Sequence, residues 1–371
     1  MPRSVTVVLL TIHAAVLAVS VTCSAQPRTP PGPGPASPSP SAPAMKFTRL
    51  GIRDPGINDI EAVSLLIPAG WKADGGVQWF PDYSILANLL LRVGDPQTGA
   101  VIEFLPVQNF TWLKQMAVPM APGTNYMGNI LWQPIGDIPR FIQTFYMPKA
   151  MTRLQSARIV GGGELPRVAA AVAQSYGGQS QVKSARVRYE YTQNGQPWEE
   201  DVFVTLVFTP WQLGTLWSVN TAHSFRTPKG ILDRMTPIMS ATVNSVRISP
   251  EWYGGYMYVQ QLFNNRMNQS IKNAAAISRT VTQNSEEIRR MYSESYRQRQ
   301  ESQDRISQSW SEYIRGVETY KNPFEGRQVQ LPSGYSNAWV NARGEYLLTN
   351  QAGLNPNVGD TTEWRRMDRR Q

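Results

Sequence analysis

A predicted β-hairpin centred on Asn194-Gly195 constrains the fold of this chain more than any other stretch of its sequence. The alternating run SARVRYEYT precedes the dipeptide, and EEDVFVTLVFTP follows it. Asn-Gly favours the tight turn whose twist matches that of two antiparallel strands. A further strand, GTLWSVNTAH, comes next, so these residues predict the centre of a largely antiparallel sheet.

The rest of residues 46–252 predicts more strands and two helices. ELPRVAAAVAQSY predicts a helix, because proline suits its first turn and Gly177-Gly178 would end it. Residues 227–246 predict a second helix, with apolar side chains three or four positions apart. Apolar runs typical of strands lie at 60–67, 84–93, 100–106 and 141–147. We therefore expect an α+β fold, with a mostly antiparallel sheet covered by helices in an α/β/α sandwich. No element is assigned to the connection at 106–139.

Residues 253–320 predict a long helical arm. Apolar residues recur at helical spacing on both sides of the polar run SESYRQRQESQDR. A coiled coil would need an unbroken apolar seam, so we expect a helix that docks at both ends. The residues expected to dock are Ile288, Tyr292, Ile306, Trp310 and Tyr313. An alternative role for the arm is self-association into a homo-oligomer.

Residues 321–371 predict a small three-stranded β-meander and a basic tail. The strands are expected near 328–331, 337–341 and 346–349, with glycine-containing turns between them. A meander of this size is only marginally stable alone, so it should pack on the arm, the main body or another subunit.

The N-terminus predicts export. MPRSVTVVLLTIHAAVLAVSVTCSAQ contains a basic residue, an apolar run and small residues at Cys23 and Ala25. The pattern predicts a signal peptide over residues 1–25, cleaved after Ala25, and hence a periplasmic or secreted protein. An uncleaved anchor and a lipid on Cys23 are alternatives, and either would tether the N-terminus to a membrane. Residues 26–45 are rich in proline and predict a semi-stiff linker.

The scarcity of cysteine and histidine excludes several kinds of catalysis. Cys23 is the only cysteine, and His13 and His223 are the only histidines. A chain cleaved after Ala25 would have no thiol and one imidazole, which excludes thiol catalysis and cysteine-based zinc sites. No G-x-S-x-G elbow accompanies His223, so we interpret it as an ordinary residue at a strand end. We expect no catalytic residue, no metal site and no cofactor.

Two short motifs receive structural interpretations. Gly161-Gly162-Gly163 lacks the following Lys-Ser/Thr of a phosphate loop and predicts a flexible turn. Glu199-Glu200-Asp201 could supply carboxylates for glycoside hydrolysis, but adjacent strand residues point to opposite faces. We expect this trio to form a solvated strand start.

Tryptophan is abundant, with 11 residues, and several lie at predicted strand ends and turns. Most are expected in the core, but strand-end aromatic rings can also line a groove for sugar or peptide. The candidates for such a ligand surface are Trp71, Trp79, Trp198, Trp211 and Trp217.

Two segments resemble parts of a known family. IPAGWKADGG and SVRISPEW are similar to segments of the Mog1/PsbP-type sandwich found in secreted bacterial proteins. The resemblance covers residues 50–252. It implies an α/β/α sandwich that serves as a binding or assembly scaffold, and it supplies no catalytic residue. GYSNAWVNARGEYLLTN resembles a C-terminal element of bacterial secreted proteins without established activity.

These observations favour an exported, non-enzymatic binding or assembly protein of the bacterial envelope or extracellular space. The expected partner is a protein or polysaccharide of the envelope. Nucleic acid is not expected, because the net charge of +9 is spread thinly and an exported chain would seldom meet it. Two alternatives remain open: a carboxylate-based hydrolase acting on envelope glycan or peptide, and a structural protein that self-associates through the helical arm.

Overall fold

The computed structural model describes residues 44–116, 119–264, 285–314, 316–359 and 361–369. The predicted signal peptide, and the predicted linker up to residue 43, lie outside these ranges. Within them, strands account for 43% of the residues and helices for 24%. None of the helices there combines the length and the apolar character that a bilayer crossing requires.

The strands and helices have the following bounds. The strands are β1 Met45–Asp54, β2 Ile60–Pro68, β3 Lys72–Trp79, β4 Ala87–Gly94, β5 Val101–Phe104, β6 Asn109–Leu113, β7 Asn125–Tyr126, β8 Asn129–Leu131, β9 Arg158–Glu164, β10 Gln181–Gln193, β11 Gln196–Trp211, β12 Gly214–Pro228, β13 Arg247–Ile248, β14 Val317–Lys321, β15 Gln328–Pro332, β16 Asn337–Asn341, β17 Tyr346–Thr349, β18 Trp364–Arg366 and β19 Asp368–Arg369. The helices are α1 Ile138–Phe141, α2 Pro166–Gln174, α3 Leu232–Asn244, α4 Pro250–Asn264 and α5 Ser285–Tyr313, with a π-helical turn at Ile142–Tyr146 and a 3-10 turn at Thr152–Leu154.

The main sheet has ten strands and is built around the long strands β10, β11 and β12. Its principal order is β3-β4-β5-β12-β11-β10-β9, and β6 to β8 extend it from β12. The hairpin predicted at Asn194-Gly195 is confirmed, since Gln193 pairs with Gln196. Both turn residues have a positive φ, 52° and 75°, as this tight turn requires.

A second, six-stranded sheet joins strands from both ends of the described chain. Its order is β13-β2-β1-β17-β16-β18. Strand β1 pairs with β17, so that Phe47 lies opposite Tyr346. A three-stranded sheet, β15-β14-β19, shares an apolar cluster with it.

The two faces of the main sheet pack against different neighbours. One face, which includes Phe203 and Phe225, packs against α2, α3 and α5. The opposite face, which includes Val204 and Leu206, packs against residues 105–154. Successive residues of β11 therefore serve two cores, which explains why its sequence reads as an almost continuous apolar run.

The expected helix-covered α/β/α sandwich is wrong. Strands dominate the described residues, and the sheets are curled and antiparallel or mixed. Helices cover one face of the main sheet, whereas the other is covered largely by the segment 105–154, with its short strands and turns. The separate three-stranded meander is wrong as well, because β16 and β17 continue the sheet of β1 and β2.

The expected helical arm is also wrong, because helix α5 contacts the body in its polar middle as well as at its apolar C-terminal end. Its apolar residues Ile306 and Trp310 are buried in the main core. In its polar middle, the Tyr296 hydroxyl donates a hydrogen bond to the Ile248 carbonyl at 3.0 Å. Polar contacts thus hold the middle of α5 against the body, where the spacing of apolar residues predicted no contact.

Shorter predictions had mixed outcomes. The helix expected from ELPRVAAAVAQSY is confirmed as α2, with proline in its first turn. The second predicted helix exists but begins at Leu232, because β12 continues to Pro228. The strand predicted at 141–147 is wrong. Phe141 ends α1, and Ile142 and Tyr146 are buried on a π-helical turn. A short apolar run does not distinguish the two forms.

Candidate functional site

Buried charge is concentrated where β10 ends and β11 begins. Glu200 and Asp201 are both 0% exposed. As neighbours on a strand they point to opposite faces of the sheet. The solvated strand start predicted for these two residues is therefore wrong, because each carboxylate meets a guanidinium group supplied by another element.

Glu200 belongs to a four-residue group on one face. Arg153, from the 3-10 turn, donates to Glu200 through Nε at 2.9 Å and through Nη2 at 2.6 Å. The same Nη2 lies 2.6 Å from Glu103 Oε2, and the Tyr191 hydroxyl donates to Glu200 at 2.9 Å. Burial acts to lower the pKa of Arg153, but hydrogen bonding to Glu200 and the charges of the two carboxylates outweigh it and raise that pKa.

Asp201 belongs to a second group on the opposite face. Arg188 binds it in a bidentate manner, with Nε and Nη2 at 2.8 and 2.7 Å from the two carboxylate oxygens. Arg186 approaches the same carboxylate at 3.5 Å. Arg188 also reaches Asp233 at 2.6 Å, and this hydrogen bond lowers the pKa of Asp233. We call these two groups, with the strand ends that carry them, the charged end of the main sheet.

The charged end is organised as a structural ion-pair network. A carboxylate pair for glycoside hydrolysis must face a substrate across a cleft. Glu103 and Glu200 share a face, but Arg153 bridges them and occupies the space between their charges. Over the described ranges, no three His, Cys, Asp or Glu side chains come together as metal ligands would.

The predicted ligand-surface tryptophans occupy different environments, and the structure does not bring them together. Trp71 and Trp217 are buried, and Trp217 stacks on Phe110 with ring centroids 4.0 Å apart. The indole of Trp79 donates to the buried Asp54 at 2.9 Å. Trp198 is half-buried at the charged end.

Trp211 is the most exposed of the five. It sits at the end of β11, 36% exposed, and Leu213 two residues later is 60% exposed. Trp211 pairs with Gly214 across a two-residue turn. We call residues 210–213 the hairpin tip.

The residues predicted to dock the long helix also lie in different environments. Ile306 and Trp310 are buried, and the Trp310 ring lies 5.2 Å from Phe203. Tyr313 is exposed. The half-buried Tyr292 donates its hydroxyl to Gln261 at 2.8 Å. The side chain of Ile288 lies outside the described part of the structure.

His223 lies in the interior of β12 and is buried. Its ring stacks on Phe203 at 4.9 Å and contacts Phe225 and Trp310 at 5.2 and 5.5 Å. Burial lowers its pKa to about 3, so the imidazole is neutral. Its interpretation as a strand-end residue is corrected to a core residue among aromatic rings.

Strand β9 forms one border of the main sheet and contains the three consecutive glycines. The turn predicted for them is wrong, since Arg186 pairs with Gly163 and Val187 with Gly162. All seven residues of β9 are exposed, including Ile159 at 55% and Val160 at 40%. In the described residues, β10 is the one strand that pairs with β9.

A comparison with protein-family models found no match, and a comparison with curated protein sequences found none either. The resemblance to the Mog1/PsbP-type family therefore stays a prediction.

Proposed function

We propose that this chain is an exported, non-enzymatic binding or assembly protein of a bacterial envelope or the space outside the cell. We further propose that it takes an extended segment of a partner protein along the open border of β9. The exposure of all seven β9 residues supports this proposal more than any other observation.

The border of β9 has the properties that strand addition needs. An unpaired border presents backbone N–H and C=O groups to which an extended peptide can hydrogen-bond. Glycines at 161–163 leave the backbone accessible, and Ile159 and Val160 offer exposed apolar side chains beside it. A β-bulge near Val160 interrupts the pairing with β10, so the regular part available to a partner is the short run 161–164.

The arrangement of carboxylates favours binding over hydrolysis. Glu103 and Glu200 share one face, and both accept hydrogen bonds from Arg153. Asp201 and Asp233 likewise both accept hydrogen bonds from Arg188. A hydrolase would instead present such a pair to its substrate. Turnover on a panel of glycan and peptide substrates, abolished by Glu103→Gln, would establish the hydrolase instead.

Binding is tested by replacing Gly163 with a photo-crosslinking amino acid and irradiating the cells that produce the protein. No atom lies within 4 Å of a Cβ built at Gly163, and its φ is outside the left-handed region, so a side chain fits there without strain. The matched control carries the same residue at the exposed Gln78 on β3, at the other end of the strand order. We expect a discrete crosslinked protein from position 163 that position 78 does not give.

A second pair of variants distinguishes a bound partner from a protein that is crosslinked only because it lies nearby. Gly163→Lys adds a charge to the border, which opposes strand addition, and it should remove the partner from co-purification. Gln78→Lys should retain it. Equal crosslinking at both positions, or a partner that survives Gly163→Lys, would show that β9 does not bind it.

A further inference from the structure

The sequence around the hairpin tip is almost free of charge, in contrast to the charged end of the same strands. Residues 202–225 contain no Asp, Glu, Lys or Arg, and residues 104–136 contain Lys114 alone. Residues 168–182, which lead from α2 into β10, contain none. A surface that carries tryptophan and leucine without any carboxylate is unusual for a protein whose other regions are rich in ion pairs.

The tip is held firmly although its side chains are exposed. Gly214 pairs with Leu113 of β6, and the Lys114 amide donates to the Leu213 carbonyl at 2.9 Å. A Cβ on Gly214 would lie 1.8 Å from the Trp112 carbonyl oxygen, so glycine allows the two strands to approach this closely. Trp211 and Leu213 are therefore displayed on a backbone fixed by β6 and β12.

We propose that the hairpin tip inserts into the interfacial region of a lipid bilayer that contains anionic lipids. Tryptophan suits this region because its ring is apolar and its indole N–H is polar. Leu213 would enter the acyl boundary, and the exposed Lys114, whose backbone is bonded to the tip, would lie near anionic headgroups. No carboxylate of the tip would oppose that approach. This site is separate from the open border of β9.

A protein partner fits the tip less well. Taking about 150–250 Å² as the full area of a large side chain, Trp211 and Leu213 together expose roughly 200 Å². A stable protein interface needs about 800 Å² from each partner. A bilayer accepts a small apolar insertion and adds the attraction of a cation to its charged surface.

The experiment uses the chain from Gln26 onward, which contains every described residue and no cysteine. It is sedimented with sucrose-loaded vesicles of phosphatidylcholine alone, or of phosphatidylcholine with phosphatidylglycerol. We expect binding to the mixed vesicles. The double variant Trp211→Ser with Leu213→Ser should bind at least about tenfold less, since two apolar side chains no longer leave water.

The matched control is the double variant Tyr313→Ser with Val358→Ser, which removes one exposed aromatic and one exposed aliphatic side chain, 36% and 81% exposed, away from the tip. It should bind as the parent chain does. Lys114→Gln should weaken binding to the mixed vesicles about fivefold and leave binding to phosphatidylcholine unchanged.

A single cysteine at position 213, labelled with a polarity-sensitive dye, locates the contact. Its emission should shift to the blue with mixed vesicles, and a cysteine at 358 should not respond. Failure to bind either vesicle, or equal binding by the tip variant, would overturn the proposal. So would a dimer in light scattering that the tip variant abolishes, since the tip would then be a protein interface. Because the crosslinking test at Gly163 does not involve the tip, the two proposals fail independently.

Discussion

The two ends of β11 and β12 differ in what they bury and in what they display. At the charged end, Glu200 and Asp201 are withdrawn from water and each is neutralised by arginine. At the hairpin tip, Trp211 and Leu213 are exposed and the neighbouring sequence carries almost no charge. The usual distribution, with apolar groups inside and charges outside, is thus inverted at both ends of one hairpin. A buried ion pair is weak evidence for stability, but removing one of its partners leaves a buried charge and is strongly destabilising. Removing an exposed side chain such as that of Leu213 costs little. We therefore expect substitutions at the two ends to differ in their effect on the free energy of unfolding.

The largest expected effect is the loss of Arg153. Arg153→Ala leaves the buried Glu200 without its guanidinium, which should lower the free energy of unfolding by about 3–5 kcal/mol. Urea denaturation measures this change. The control is Arg53→Ala, which removes one partner of an exposed pair with Asp59 and should cost about 0–1 kcal/mol. Similar losses for the two variants would contradict the distinction between buried and exposed charge.

The next effect concerns the glycines of β9, beside the charged end. Gly162 has a φ of 146°, and a Cβ there would lie 2.5 Å from the Arg186 carbonyl oxygen. Gly162→Ala should therefore cost about 2 kcal/mol. Gly163→Ala meets neither restriction and should cause no loss of stability. If both variants unfold at the same denaturant concentration, the backbone of β9 is not held as described.

The buried His223, midway along β12, should make a smaller, pH-dependent contribution to the free energy of unfolding. The unfolded chain takes up a proton near pH 6.5, whereas the folded chain does so near the lowered pKa of about 3. As the pH falls below 6.5, the free energy of unfolding should therefore fall by about 1.4 kcal/mol per pH unit from this residue. Above pH 6.5 the residue should contribute no slope.

The variant His223→Phe isolates the pH dependence that His223 contributes. The acidic residues are the same in both proteins, so their contribution cancels when the two are compared. The difference in unfolding free energy between the two proteins should be constant above pH 6.5 and should change in favour of the variant below it. Parallel curves down to pH 5 would contradict a buried neutral imidazole.

The smallest effect is expected at the hairpin tip. Leu213→Ser should change the free energy of unfolding by less than about 0.5 kcal/mol, because that side chain is 60% exposed. Thermal and urea unfolding of Leu213→Ser should therefore match the parent chain while binding to the mixed vesicles is weakened. A large destabilisation would show that the tip packs against other parts of the molecule.

The sequence predicted the features that depend on neighbouring residues. Asn194-Gly195 determines its own turn, and the proline and alanines of α2 determine a helix without help from distant residues. The hairpin and this helix were therefore predictable.

Contacts between distant residues were not predictable in the same way. Arg153 binds Glu200 from 47 positions away, in a segment without periodicity, and no local signal marks it as the partner of a buried carboxylate. The sequence marks Trp211 as a candidate surface residue, but its place beyond the pairing of β10 with β11, which starts with Gln181 opposite Phe208, depends on distant residues. The covering of the second sheet face by residues 105–154 was missed because short strands and turns leave no regular pattern.

The pairing of β1 with β17 has a consequence for how the chain matures. Of the described strands β1 is made first, yet its hydrogen-bonding partner β17 lies about three hundred residues later, so one border of β1 stays unoccupied until β17 has been made. Non-local pairing of this kind slows folding and leaves a strand open to wrong association in the meantime. Until β17 has been made, that border of β1 has no partner, and a C-terminal truncation that removes β17 should leave β1 less stable.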